Sequence, residues 1–147
     1  MSDNKLETVA EWVESNFKSL GDNPNKSFVL MTLAMSSGRT DVLDWMLDKG
    51  LDVNMKNGDG ETLMHTAVSF GGGNTATMRW LKEHNVSVNG RKNDGDMPIH
   101  FAAGYGYTEA VKWLLDNGVY VNAQGKENRT PMHRAAMLGR LRANGAT

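Results

Sequence analysis

Apolar side chains recur at helical spacing in several short segments of the 147-residue chain. In "TDVLDWMLDKG", Val42, Trp45 and Met46 lie three or four positions apart, and charged side chains occupy positions between them. This spacing predicts an amphipathic helix with one apolar face. "TEAVKWLLDNG" repeats the arrangement, and "TATMRWLKEHN" is a weaker copy in which Lys82 takes the place of a leucine. We predict that all three segments are helices.

Two residue types recur with the same period along the chain. The four tryptophans are Trp12, Trp45, Trp80 and Trp113, which are separated by 33, 35 and 33 residues. His65, His100 and His133 are separated by 35 and 33 residues. Self-similarity at a fixed period of this length is the signature of an array of repeated structural units.

A longer motif surrounds each of these histidines. The segments are "GETLMHTAVSFGG", "GDMPIHFAAGYGY" and "NRTPMHRAAMLGR", and they follow "DVNMKNGD", "SVNGRKND" and "YVNAQGKE". They resemble ankyrin repeats, whose pattern is T-P-L-H-x-A-A and a glycine, a second helix ending in L-L-x-x-G, and then V-N, over roughly residues 28–139. The resemblance implies an all-α solenoid of stacked helix-turn-helix units joined by β-hairpin-like loops.

We expect one domain over residues 1–147. Its parts are an N-terminal capping helix (1–21), repeat 1 (25–55), repeat 2 (56–90), repeat 3 (91–123) and a partial repeat 4 (124–147). After Gly139 only "RLRANGAT" follows, which is too polar and short for a second helix. We interpret the chain as a truncated piece of a longer array, rather than as one whose last apolar face something else covers.

Glycines recur where the helices and hairpins are expected to turn in a left-handed conformation. In each unit the first helix is called inner and the second outer. The predicted stops are Gly38, Gly106 and Gly139 for inner helices, Gly50 and Gly118 for outer helices, and Gly60 and Gly95 for hairpins. Asn85 and Asn128 replace glycine at two such positions, and asparagine tolerates this conformation best among the other residues. The glycine-rich "FGGGN" predicts a longer, more mobile turn in repeat 2.

Two interpretations of the recurring histidines compete, as ligands or catalysts and as structural residues. Repeat units stack about 10 Å apart, so the three rings cannot converge on one ion at bond lengths of roughly 2 Å. The resemblance implies instead that each ring bonds a threonine hydroxyl and the neighbouring backbone. Met97 replaces that threonine beside His100, which puts this one pairing in doubt. His84 lies outside the period and is expected to be exposed to solvent.

Other motifs do not indicate a catalytic or metal site. "GYGYTEA" and "FGGGNTA" lack the G-K-[S/T] of a phosphate-binding loop, and "DVNMKNGDGE" places Lys56 where a calcium loop needs an oxygen ligand. We interpret Asp94 and Asp96 as solvated turn residues, and the tryptophans as packing between neighbouring outer helices. We therefore predict no enzyme activity, no metal and no cofactor.

Composition narrows the class of partner. Sixteen basic and 17 acidic residues give a net charge of −1, which provides no general field for nucleic acid or an anionic membrane. The chain has no cysteine, no leader-peptide pattern and no window of 18 apolar residues. We expect a monomeric protein of the cytoplasm or nucleus whose partner is another protein, and neither nucleic acid nor a membrane.

In such an array, the hairpin tips and the concave face of the inner helices are not needed for packing between units. We predict that a partner binds there, through the tip residues Lys56, Asp59, Glu61, Arg91, Asn93, Asp94, Asp96, Gln124, Lys126, Glu127 and Arg129. Charge along these tips changes from acidic and mixed to basic. The position before the inner-helix glycine adds Phe70, Tyr105 and Leu138, which the scaffold does not require to be apolar.

Three functions fit this surface. The first is a non-catalytic protein-interaction module. The alternative is an inhibitor or regulator of a kinase or transcription factor that acts by occlusion, on the analogy of small ankyrin proteins. The third is a substrate of oxygenases, because Asn89 and Asn122 resemble the asparagines that are hydroxylated in this family.

Overall fold

Helices arranged in two rows make up the part of the chain that this computed structural model describes, which is residues 24–145, with side chains over residues 26–138. They are α1 (Pro24–Ser36), α2 (Thr40–Asp48), α3 (Leu63–Phe70), α4 (Thr75–Glu83), α5 (Pro98–Tyr105), α6 (Thr108–Asp116) and α7 (Pro131–Gly145). The inner row consists of α1, α3, α5 and α7, and α2, α4 and α6 each pack on the inner helix before them. The predicted all-α solenoid is confirmed. The predicted capping helix over residues 1–21 lies outside the described residues.

Hairpin-like loops connect the outer helices to the next inner helices, and the same backbone hydrogen bond closes three of them. The N–H groups of Asn57, Lys92 and Gly125 donate to the carbonyls four positions later, over 3.1, 3.0 and 2.8 Å. Lys56 and Thr62 also form an isolated antiparallel bridge. The loops therefore have the hairpin-like form that the resemblance implied.

The helices begin at residues suited to a first turn. Thr62 precedes α3, and its hydroxyl accepts the N–H of His65 over 3.5 Å. Pro98 and Pro131 open α5 and α7, where the missing N–H of proline has no helical partner to lose. Asn74 caps α4 by accepting the N–H two positions later over 2.9 Å.

Left-handed backbone occurs at the predicted turns. Asn85 and Asn128 have φ angles of 68° and 58°, so asparagine does serve where other repeats have glycine. Gly60 has a φ of 78°, and a Cβ there would lie 2.9 Å from the backbone nitrogen of Asn93 in the next loop. Glycine is thus required at Gly60 by its conformation and by the closeness of the neighbouring loop.

The fourth inner helix does not end where we expected. We predicted a stop at Gly139, and this is wrong, because α7 runs from Pro131 to Gly145. By contrast, Gly106 adopts a φ of 77° and ends α5. The residues that follow Gly139 read "RLRA", which are strong helix formers that let the helix continue. Among the described residues, α7 is therefore not followed by an outer helix.

The "FGGGN" turn of repeat 2 packs against repeat 3. Gly73 is buried with a φ of 79°, and a Cβ there would lie 2.8 Å from the Cβ of Tyr107. The two additional residues of this repeat thus lie in a turn that contacts its neighbour closely. Its mobility stays a prediction.

A continuous apolar core separates the two rows of helices. Its fully buried members include Leu43, Met46, Met64 and Met78. Unbranched methionine side chains fill irregular gaps in such cores. Met132 on α7 is 72% exposed, which agrees with the expectation that the last unit is partly uncovered.

Candidate functional site

His65 joins repeat 2 to repeat 3 and is fully buried. Its Nδ1 accepts the backbone N–H of Thr62 over 3.1 Å, and the Thr62 hydroxyl lies 3.0 Å from the same nitrogen. Since Nδ1 accepts, Nε2 carries the proton of the neutral ring and donates it to the carbonyl of Asp96 over 2.8 Å. One imidazole therefore satisfies backbone groups of two successive units.

His100 also bonds two backbone groups, although Met97 supplies no hydroxyl and the second group lies at the end of its own repeat, beside the fourth loop. Its Nδ1 accepts the N–H of Met97 over 3.0 Å, and its Nε2 donates to the carbonyl of Ala123 over 2.8 Å. The hydrogen bond to Nδ1 of His100, which the loss of the threonine hydroxyl put in doubt, is thus formed by a backbone N–H. In the last unit, the Nδ1 of His133 accepts the N–H of Thr130 over 2.9 Å, but the ring is exposed and its Nε2 has no hydrogen bond within the described residues.

These rings do not gather into a metal site in the part of the chain that the structure describes. No group of three or more His, Asp or Glu side chains there is arranged to hold a metal ion. In His65 and in His100, both ring nitrogens are hydrogen-bonded to backbone groups. The structural interpretation of the histidines is therefore confirmed for His65 and His100.

Asp96 is a buried connector between repeats 3 and 4, so the expectation of a solvated turn residue is wrong. The residue is 1% exposed. One carboxylate oxygen accepts the N–H of Lys126 over 2.7 Å, and the other forms an ion pair with Arg134. Gly125 allows the fourth loop to come this close, because a Cβ there would collide with the Asp96 carboxylate and lie 2.8 Å from the His100 ring. Asp96 is thus not accessible to a partner.

Asp94 remains at the surface, as predicted. Its carboxylate accepts the N–H of Asp96 over 3.0 Å and lies 3.3 Å from Nζ of Lys92. Slight burial acts to raise the pKa of Asp94, but this hydrogen bond and the Lys92 cation outweigh it and lower the pKa. Asp94 is therefore an anion whose charge Lys92 largely offsets.

Backbone hydrogen bonds lock the tips of repeats 2 and 3 together. The N–H of Asn93 donates to the carbonyl of Asp59 over 2.9 Å, and the Asn93 amide donates to the carbonyl of Gly58 over 3.2 Å. Arg91 donates to the carbonyls of Gly95 and Gln124, over 2.8 and 2.5 Å. The tips thus form a continuous edge, because each loop is tied to its neighbour.

Several charges on this edge neutralise one another. Glu61 is half-buried and lies 3.8 Å from Lys92, and Glu127 pairs with Arg129 over 3.0 Å. Together with the Asp96–Arg134 pair, these contacts leave less basic charge in repeat 4 than the sequence indicated. Among the described residues of the hairpin tips, three exposed cations have no carboxylate partner: Lys56, Arg91 and Lys126. Asp59 is the exposed carboxylate of the described tips that has no ion pair, so the unpaired charges of this edge are mostly positive.

Exposed apolar side chains line the inner helices beside this edge. Phe70 on α3 and Tyr105 on α5 are 62% and 51% exposed, which agrees with their predicted freedom from packing. Leu33 on α1 and Met137 on α7 extend the row, and the sequence analysis missed both. Leu33 lies one position after Thr32, which takes the place of the histidine in repeat 1, and Met137 lies four positions after His133. Both positions are on the same helical face as Phe70 and Tyr105, and that spacing could have identified them. Leu138 is half-buried instead and lines a groove beside α7.

Phe101 lies beneath this row and fixes the position of its neighbours. Its half-buried ring makes an edge contact with His65 at a centroid distance of 5.1 Å and another with Tyr105 at 6.3 Å. Nζ of Lys92 lies over the same ring, 5.6 Å from the centroid. The aromatic cluster thus connects the buried histidine bridge to the exposed face.

The outer face carries a second cluster, which the sequence did not predict in full. Trp80 is buried and donates its indole N–H to Asp44 of the preceding unit over 2.8 Å, which confirms that this tryptophan packs between outer helices. His84 stacks on Trp80 with ring centroids 3.9 Å apart, and its Nδ1 bonds the Trp80 carbonyl over 2.7 Å. His84 is therefore only partly exposed, with 32% of its side chain accessible to solvent.

Asn89 and Asn122, the two candidates for hydroxylation, are both exposed. Their modification stays a prediction. Among the described residues, no helix has the length and apolar character needed to cross a bilayer.

The buried bridge at His65 predicts a loss of stability in mild acid. Burial lowers the pKa of His65 below its ordinary value of 6.5, and the bond to the Asp96 carbonyl and the charge of Glu61 oppose this only in part. In the window between the folded and unfolded pKa values, the unfolded chain binds more protons. The contribution of His65 to the free energy of unfolding is therefore fully present above the pKa of the unfolded chain. It decreases as the pH drops towards the lower pKa of the folded chain. Urea titrations across this window measure the slope, and His65→Gln, which cannot titrate, should flatten it. An equal slope in both proteins would contradict the buried neutral ring.

The chain matches a family model described as ankyrin repeats (three copies), over residues 1–92, 30–125 and 73–143. No curated protein matches it significantly. Ankyrin repeats are generally non-catalytic modules of protein–protein interaction. The matched segments, the stacked helix pairs and the histidine bridges between units agree, and the chain belongs to the ankyrin-repeat family.

Proposed function

We propose that this protein is a non-catalytic interaction module that binds a partner protein along the concave face of its inner helices and the adjoining hairpin tips. The observation that carries the proposal is the row of exposed apolar side chains that crosses successive inner helices beside a positive edge. Phe70 and Tyr105 are its two aromatic members. Aromatic side chains of this kind are the usual anchors of protein interfaces.

Two features support a preorganised surface. The tips are joined by hydrogen bonds to backbone groups, such as that from Asn93 to Asp59, so little order has to be gained when a partner binds. The positive edge around Lys56, Arg91 and Lys126 favours partners with acidic side chains and speeds their association. The partner that fits best therefore combines apolar anchors with a net negative charge.

Affinity capture with the double variant Phe70→Ser, Tyr105→Ser tests this proposal. The wild-type chain and the variant are immobilised separately, exposed to the same native lysate, and compared protein by protein. Removing two anchors that each contribute about 1–2 kcal/mol should reduce capture of a specific partner at least tenfold. Both side chains are exposed, so the thermal unfolding midpoint should change little.

Tyr120→Ser provides the matched control. Tyr120 is 67% exposed and lies off the inner helices, so its removal takes away one exposed aromatic ring at a different place. The control should capture partners as the wild type does. If the double variant captured the same proteins in the same amounts, the concave face would not be the binding surface.

A further inference from the structure

Consecutive outer helices are linked by specific contacts in this array. Trp80 of α4 donates to Asp44 of α2, and Lys82 of α4 donates to Asn117, which follows α6. Each outer helix thus lies in the space between the preceding outer helix and its own inner helix. After α6 this row stops within the described residues, because α7 continues straight to Gly145.

An apolar groove of about 480 Å³ lies where the next outer helix would pack. It is formed between α5, α6 and α7. Its apolar lining includes Ile99, Val111, Leu115, Met132, Ala135 and Leu138. A groove lined by apolar side chains suits the apolar face of a helix, and the nine residues of α4 or α6 show the length that fits this row.

We propose that this groove is a second binding site, which takes an amphipathic α-helix from a partner protein. The row of outer helices continues through it, and the docked helix takes the position that α4 and α6 hold in their own units. It lies apart from the concave face, since Phe70 and Tyr105 do not line the groove. The site is therefore separate from the one in the proposed function.

Charge at the rim of the groove specifies the chemistry of this helix further. Lys112 is the fifth residue of α6, the position that Asp44 holds in α2, and it is exposed at the groove without an ion pair among the described residues. Asp116, one turn later on α6, also lines the groove, so the rim carries one charge of each sign. Where Asp44 accepts an indole N–H, Lys112 favours a carboxylate. Leu115 is the eighth residue of α6, the position that Lys82 holds in α4. Lys82 donates to an amide, whereas Leu115 is apolar, so an apolar residue of the partner helix fits opposite Leu115. The partner helix is thus acidic at one position and apolar at the next turn.

A synthetic helix based on α6 serves as the probe. The peptide has the sequence of residues 107–118 with Trp113→Glu, to face Lys112, and Asn117→Leu, to face Leu115. A hydrocarbon staple on its exposed face is needed, since so short a helix is marginal in water. Fluorescence anisotropy with the full-length chain should show saturable binding. A peptide that also carries Leu114→Glu on its apolar face should not bind.

Variants of the chain locate the site. Met132→Glu should weaken binding at least about tenfold, because it places a charge among apolar side chains. Lys112→Glu should also weaken it, and a peptide with lysine in place of the glutamate should restore it. Both side chains are exposed, so neither change should unfold the protein. Tyr105→Ser should bind the peptide as the wild type does, which separates this site from the concave face.

Three outcomes would overturn the proposal. The first is the absence of saturable binding, which would also follow if the chain's own residues covered the groove. The second is binding that neither Met132→Glu nor Lys112→Glu changes. The third is a dimer in sedimentation velocity that Met132→Glu dissociates, since the groove would then belong to a second copy of this chain.

Discussion

Replacing His65 or His100 with alanine is expected to lower the free energy of unfolding by about 3–5 kcal/mol, whereas His133→Ala should cost only about 1 kcal/mol. The three histidines occupy the same position of the same motif. His65 and His100 are fully buried and bond distant backbone carbonyls, that of Asp96 in the next unit and that of Ala123 beside the fourth loop, so their removal leaves a cavity and unpaired polar groups. His133 is exposed and bonds only its own unit.

Urea unfolding followed by tryptophan fluorescence measures these differences. His133→Ala is the matched control, because it removes the same side chain and the same local bond to the preceding N–H. Equal losses at all three positions would show that the histidines stabilise their own units and do not join neighbours.

Asp96→Ala is expected to cost about 3–5 kcal/mol, because it leaves the Arg134 guanidinium without its counter-charge and the Lys126 N–H without an acceptor. The neighbouring Asp94→Ala should cost about 0–1 kcal/mol, because Asp94 is an exposed partner of Lys92. Both changes remove a carboxylate, at positions two residues apart. They differ in the contacts that are lost, which are buried for Asp96 and exposed for Asp94.

Amide hydrogen exchange locates the effect of Asp96→Ala. Stability in a repeat array is a sum over neighbouring interfaces, so the loss should fall on the last unit. Exchange should accelerate over residues 125–138 and change little in α3 and α4. Uniform acceleration along the chain, or an equal effect of Asp94→Ala, would contradict the assignment of Asp96 as the connector of repeat 4.

Local constraints made much of the fold predictable from the sequence. The left-handed turns at Asn85 and Asn128 could be identified because few residues tolerate that conformation. The roles of His65 and His100 followed from the recurring motif, since each ring bonds the backbone N–H three positions before it and a later backbone carbonyl. These features depend on a few neighbouring residues and on the period, both of which a sequence displays.

Features that depend on contacts between units were not predictable in the same way. Asp96 and Asp94 look alike in the sequence, and only the approach of the fourth loop over Gly125 buries one of them. His84 is shielded because Trp80 offers it a ring to stack on. Gly139 occupies a stop position by the period, yet it continues the helix because strong helix formers follow it.

The candidate site was predicted in part. The exposure of Phe70 and Tyr105 agrees with the sequence, because the scaffold gives that position no packing partner. Leu33 and Met137 were missed, since an apolar residue in a helix is normally assigned to its buried face. Charge was the least predictable property, because ion pairs such as Glu127 with Arg129 form only in the folded chain.

NMR of the imidazole ring protons tests most directly whether the recurring histidines join successive units. His65 and His100 should each show an Nε2 proton that exchanges slowly with water, because it is buried and bonded to a backbone carbonyl, that of Asp96 in the next unit for His65 and that of Ala123 beside the fourth loop for His100. His133 should show only fast exchange. Ring protons of His65 and His100 that exchange as fast as those of His133 would contradict the bridge between units.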